Sequence, residues 1–127
     1  MSRLADVLAL EHEAVWTYGL IGGAVPALSQ RAYEAFTAHR KERDRLIAAV
    51  AEDVPPQASY APATVADEAE ALERAQGIEA RIGAAWAILA GSTTGKDRDD
   101  ALTRLVTAET ARLDWGGTPV AFPGLDA

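Results

Sequence analysis

The chain contains no cysteine, which removes disulfides, thiolate metal sites and cysteine nucleophiles together. No apolar run approaches the ~20 residues needed to span a membrane, and the opening Met1-Ser2-Arg3-Leu4-Ala5-Asp6 lacks the apolar core of a secretory signal. The expected compartment is therefore the cytoplasm. Positive charge is scarce: 12 Lys and Arg stand against 19 Asp and Glu, for a net charge of -7, so no basic footprint exists for nucleic acid or an anionic membrane. There is no repeat of fixed period and no low-complexity tract. Phosphate-cradling glycine loops, a Gly-x-Ser-x-Gly elbow and a His-Glu-x-x-His zinc motif are all missing, since His12-Glu13 has no second histidine.

What is present is a composition of 49% hydrophobic and 24% charged residues over 127 positions, ordinary for a single globular domain spanning 1–127. Alanine, leucine, glutamate and arginine bias it strongly toward helix. Four helical segments are predicted. Ser2 caps the first, which runs to Leu20 or Ile21 and ends at Gly22-Gly23. Pro26 opens the second, which reaches Val50 or Ala51. The third starts at the box Thr64-Val65-Ala66-Asp67 and stops near Gly91, and the fourth runs from a cap at Asp97 to Trp115.

Between the second and third segments lie Pro55, Pro56 and Pro62 without a helical stripe. About a dozen extended residues reach roughly 35 to 40 Å, as long as a helix of about 25 residues. Such a linker can run the length of a bundle, and a compact loop between neighbouring antiparallel helices is the other option. The tail Thr118-Pro119-Val120-Ala121-Phe122-Pro123-Gly124-Leu125 is apolar but too proline-rich for helix. It is expected to lie extended against the helices or a second subunit.

Each helix carries one polar interruption in its apolar stripe. In the first the stripe is Leu4, Leu8, Glu11, Val15, Tyr18; in the second Leu28, Ala32, Ala35 with Phe36, His39, Leu46, Val50. In the third Glu79 sits among Val65, Leu72, Ala75, Ile82, Trp86 and Leu89, and in the fourth Glu109 among Leu102, Leu105, Val106 and Leu113. A buried carboxylate needs a partner. Glu11, His39, Glu79 and Glu109 lie at comparable heights, so side-by-side packing brings them together as a candidate metal site suited to Fe, Mn or Zn. His12 and Glu13 fall off the stripe and are expected to face solvent. Tyr18, Trp16, Trp86 and Trp115 are read as packing or interface residues.

These features are similar to the ferritin-like superfamily. The runs Leu10-Glu11-His12-Glu13-Ala14-Val15-Trp16-Thr17-Tyr18-Gly19, Ala38-His39-Arg40, Ile82-Gly83-Ala84-Ala85-Trp86 and Ala121-Phe122-Pro123-Gly124 resemble an actinobacterial ferritin-like family of unknown function. The resemblance implies an all-α fold, a four-helix bundle with a long Pro-containing linker between helices 2 and 3 and an extended C-terminal tail. Its di-iron members take a Glu from each of two helices and a Glu-x-x-His pair from each of the other two. Here Phe36 stands where a bridging Glu is expected and Arg112 where a His is expected, so the di-metal site is degenerate. An arginine cannot bind a cation, but it can pair with Glu109 or Glu79 and supply the missing positive charge.

Three functions follow as expectations. The first is a non-catalytic binding or structural module holding a metal-free network of Glu11, Glu79 and Glu109 with His39, Arg112 and Arg43. The second is a ferritin-like oxidoreductase or metal-binding protein with one transition metal ion, Fe or Mn, on Glu11, His39, Glu79 and Glu109. The third is a small-molecule carrier with a pocket among the tryptophans, which a sizeable cavity would support. A homodimer is expected as the partner state.

Overall fold

The computed structural model describes residues 2–121, and all regular structure among them is helical. Helix α1 spans Arg3–Ala24, a short 3-10 turn spans Pro26–Leu28, and helices α2, α3 and α4 span Ser29–Ala49, Glu68–Ser92 and Gly95–Asp114. None of these helices is long and apolar enough to cross a membrane.

The helix ends follow local chemistry, with shifts from the sequence expectation. Ser2 caps α1 as expected, its hydroxyl accepting from the Ala5 N–H at 3.1 Å. The helix then continues through Gly22 and Gly23 to Ala24, because glycine lowers helix propensity without forbidding it and the break comes only at Pro26. Pro26 begins a 3-10 turn, and α2 starts three residues later. Helix α3 starts at Glu68, not within Thr64–Asp67: Asp67 is itself the cap, accepting from the Glu70 N–H at 2.9 Å. Asp67→Ala is expected to cost about 1 kcal/mol in urea denaturation. Helix α4 starts at Gly95 ahead of Asp97, since Gly95 takes φ +60, a left-handed value suited to glycine.

Helix α1 packs against both α2 and α3, and α3 packs against α4. Directions follow from cross-helix contacts. The Ser2 N–H donates to Glu52 at 2.6 Å and the Ser29 hydroxyl to the Gly22 carbonyl at 2.7 Å, so α1 and α2 are antiparallel. Tyr18 meets Glu79 and Glu13 meets Arg81, so α1 and α3 are antiparallel too. Gln76 donates to the Trp115 carbonyl and Arg98 to the Ala90 carbonyl, which sets α4 antiparallel to α3. Helices α2 and α3 therefore run the same way, and the segment joining them has to return along the helices from one end to the other.

That segment lies against α1. The His12 Nε2–H donates to the Val54 carbonyl at 2.7 Å, Tyr60 packs on Trp16 with ring centroids 5.7 Å apart, and Arg74 donates to the Pro62 carbonyl at 2.8 Å. The expectation that His12 faces solvent is thereby corrected: it is 7% exposed, because the linker covers that face of α1. Glu13, also expected to face solvent, is half-buried and ion-paired with Arg81.

The core is unevenly shared. Helix α1 buries nine residues and α3 eight, whereas α2 buries only Ala32 and Leu46 and α4 only Ala101, Ala108 and Arg112. Small side chains face each other between α2 and α4, which leaves a cleft there. After α4, Gly116 adopts φ +101 and the Gly117 N–H donates to the Arg112 carbonyl at 2.9 Å, closing the helix. Residues 118–121 are non-helical, with the Thr118 carbonyl accepting from Arg112 at 2.6 Å. Phe122 to Leu125 of the expected tail lie outside the described residues.

Candidate functional site

Three of the four polar interruptions meet at the middle of the helices. His39 from α2 reaches between Glu11 of α1 and Glu79 of α3, with Nδ1 2.5 Å from Glu11 Oε1 and Nε2 2.8 Å from Glu79 Oε2. The Tyr18 hydroxyl donates to the same Glu79 Oε2 at 2.6 Å. Both carboxylates are 2% exposed, and an uncompensated buried charge is strongly destabilising. The imidazole therefore has to be read with its neighbours. Each ring nitrogen faces a carboxylate oxygen, an arrangement both nitrogens satisfy as donors only in the doubly protonated ring.

Burial disfavours the His39 charge, but hydrogen bonds and charge attraction from Glu11 and Glu79 outweigh it and raise the imidazole to about 10. Burial pushes the Glu11 carboxyl upward, with His39 opposing the shift. Burial and the Glu79 charge likewise push the Tyr18 phenol up, so it stays a neutral donor. Tyr18 is stacked between His39, at 5.3 Å, and Trp115, at 5.7 Å. Tyr18→Phe keeps the stack and removes the donor to Glu79, an expected loss of about 1.5 to 3 kcal/mol in urea denaturation.

Glu109 is not joined to this cluster by any hydrogen bond among the described residues. It takes the Arg112 guanidinium instead, with Nη2 2.9 Å from Oε2 and Nε 3.2 Å from each oxygen. It packs on Gly83, where an added Cβ would lie 3.4 Å from Glu109 Oε1. Arg43, expected in the network, is paired with Asp44 at 2.9 Å. Phe36 lies against Gly19 of α1, under the Arg40 guanidinium.

The cleft between α2 and α4 opens onto the cluster. Its volume is about 210 Å³, with Glu11, His39 and Glu79 lining it and Trp86, Trp115 and Ile82 among its walls. Across it, Glu42 of α2 accepts from Arg104 of α4 at 3.0 Å and from Arg45 at 2.6 Å. Nothing in the sequence signals the Glu42–Arg104 pair, because a partner 62 residues away on another helix leaves no spacing pattern.

A family model matches residues 3–127. The chain belongs to the DUF4439 family, described as a domain of unknown function. A crystal structure of a conserved hypothetical protein, rv2844, from Mycobacterium tuberculosis is similar to this DUF4439 chain. The two share 28% identity at a TM-score of 0.77, over 94% of this chain and 92% of that one. No curated protein matches the chain.

A histidine ligand gives one nitrogen lone pair to the metal and uses the other N–H to orient itself. Here both nitrogens are spent on carboxylates, and the fourth candidate, Glu109, is held by Arg112. Among the described residues no group of three or more His, Asp and Glu side chains is arranged to hold a metal ion.

Proposed function

We infer that this DUF4439 protein is a ferritin-like four-helix bundle acting as a non-catalytic binding module, in which a protonated histidine takes the place of a metal. Support for the bundle comes from the helix directions, with α2 and α3 parallel and the linker returning beside α1. The observation that carries the function is His39 placed between Glu11 and Glu79 through both ring nitrogens. The imidazolium supplies inside the protein the positive charge that two buried carboxylates require, and Arg112 does the same for Glu109.

The test is elemental analysis of untagged protein purified without chelators and then incubated with Mn, Fe or Zn. The expected result is less than a tenth of an equivalent of each metal retained after desalting. Retention of one equivalent that is lost in Glu11→Gln overturns this reading in favour of the single-metal protein. A homodimer belongs to the same proposal, supported by Leu102, Val106 and Leu113, which leave an exposed apolar row along α4.

A further inference from the structure

The hydrogen bonds of the cluster use one oxygen of each buried carboxylate, Glu11 Oε1 and Glu79 Oε2. The other two, Glu11 Oε2 and Glu79 Oε1, take part in no hydrogen bond among the described residues. Neither is a sealed, orphaned atom; among the described residues that condition is met only by the Thr17 hydroxyl. Both residues line the α2–α4 cleft, so the acceptor capacity they leave unused belongs to its lining.

The floor of the cleft carries one sign of charge in excess. Glu42 is matched by Arg104 and Arg45, whereas Glu11 and Glu79 share the single imidazolium of His39. Anions are disfavoured there and cations are drawn in. The remaining wall is apolar and aromatic, formed by Ile82, Trp86, Ala108 and Trp115. Arg31 already lies over the Trp115 ring at 4.1 Å and Arg104 over Trp86 at 5.9 Å, so these rings serve as apolar wall, while at the floor an ammonium brings three donors and no acceptor. Size narrows the class further. A cavity of about 150 Å³ holds benzene, so a cleft of about 210 Å³ fits one ring with a short polar arm and falls below the range of drug-sized ligands.

We propose that the α2–α4 cleft is a binding site for a small primary amine bearing one aromatic ring or a compact alkyl group. The ammonium donates to the open oxygens of Glu11 and Glu79, and the apolar body lies against Trp86 and Trp115. The site rests on the metal-free reading of the cluster, because a metal would take the same oxygens.

Benzylamine, benzyl alcohol and benzoate are titrated into the full chain at pH 7 by calorimetry, with the Trp indole resonances followed in parallel by NMR. Benzylamine is expected to bind one to one and at least tenfold more tightly than benzyl alcohol, with benzoate giving no binding. Trp86 and Trp115 shift while Trp16, across the molecule beneath Tyr60, does not. Ala38, exposed, and Ala111, half-buried, both line the cleft, so Ala38→Leu with Ala111→Leu fills it with little demand on the core. That double variant is expected to weaken benzylamine at least tenfold at an unchanged thermal midpoint. Equal affinity for the alcohol, unchanged affinity in the double variant, shifts centred on Trp16 or no binding at all overturns the proposal. If the protein stays metal-free and benzylamine does not bind, the amine site alone fails; one equivalent of bound metal removes the underlying reading.

Discussion

Replacing His39 with alanine is expected to remove about 3 to 5 kcal/mol of stability at pH 7, the cost of breaking a buried ion pair from one side. Glu11 and Glu79, each 2% exposed, are left facing each other with no cation between them. Tyr18 still donates to Glu79, but one neutral hydroxyl does not balance two carboxylates. The variant can relieve the strain only by taking up protons, so its deficit should shrink as pH falls toward the ordinary carboxylate range. Urea denaturation at pH 7 and pH 5 measures both effects. A deficit below about 1 kcal/mol at pH 7 would place the cluster with exposed ion pairs and remove its structural importance.

Raising the pH from 7 to 10 is expected to destabilise the native protein by up to about 4 kcal/mol, at about 1.4 kcal/mol per unit. The sign follows from His39, whose folded-state value is raised from 6.5 to about 10. Between those values the folded state keeps a proton that the unfolded state has released. Stability from this group is therefore full below about pH 6.5 and is lost as pH rises through about 10. Glu11 is also shifted upward, so it loses stability in the same direction at lower pH. Urea midpoints taken across the range should fall steadily, and His39→Gln should flatten the slope. An equally steep slope in that variant assigns the loss to other groups.

Much of this site was legible in the chain because a carboxylate in an apolar stripe is a strong signal. Glu11, His39 and Glu79 interrupt three stripes at similar heights, and helix packing brings them together. The linker's end-to-end path was one of two options: Pro55, Pro56 and Pro62 and about a dozen residues give it the reach, but the same residues also suit a compact loop, and the choice needed the helix directions. Glu109 shows where periodicity stops. Its stripe position suggested the cluster, but Arg112 one turn away on the same helix is a nearer partner than any group on α1 or α2. His12 was misplaced for a different reason: the stripe counts only helix partners, and a proline-rich linker covers a helix face without any period of its own. The cleft could not be read either. It arises because Ala35, Ala38, Ala108 and Ala111 face one another across two helices, and small residues in a stripe look the same whether they pack closely or leave space.

The charge state of one ring decides between a histidine that replaces a metal and a histidine that binds one. Nitrogen-15 NMR of the His39 imidazole, in protein labelled on histidine and recorded from pH 6 to 11, reads that state directly. The expected result is two protonated ring nitrogens at neutral pH, persisting until the ring titrates near 10. One unprotonated nitrogen at pH 7 would contradict it, for then Glu11 and Glu79 have no imidazolium between them.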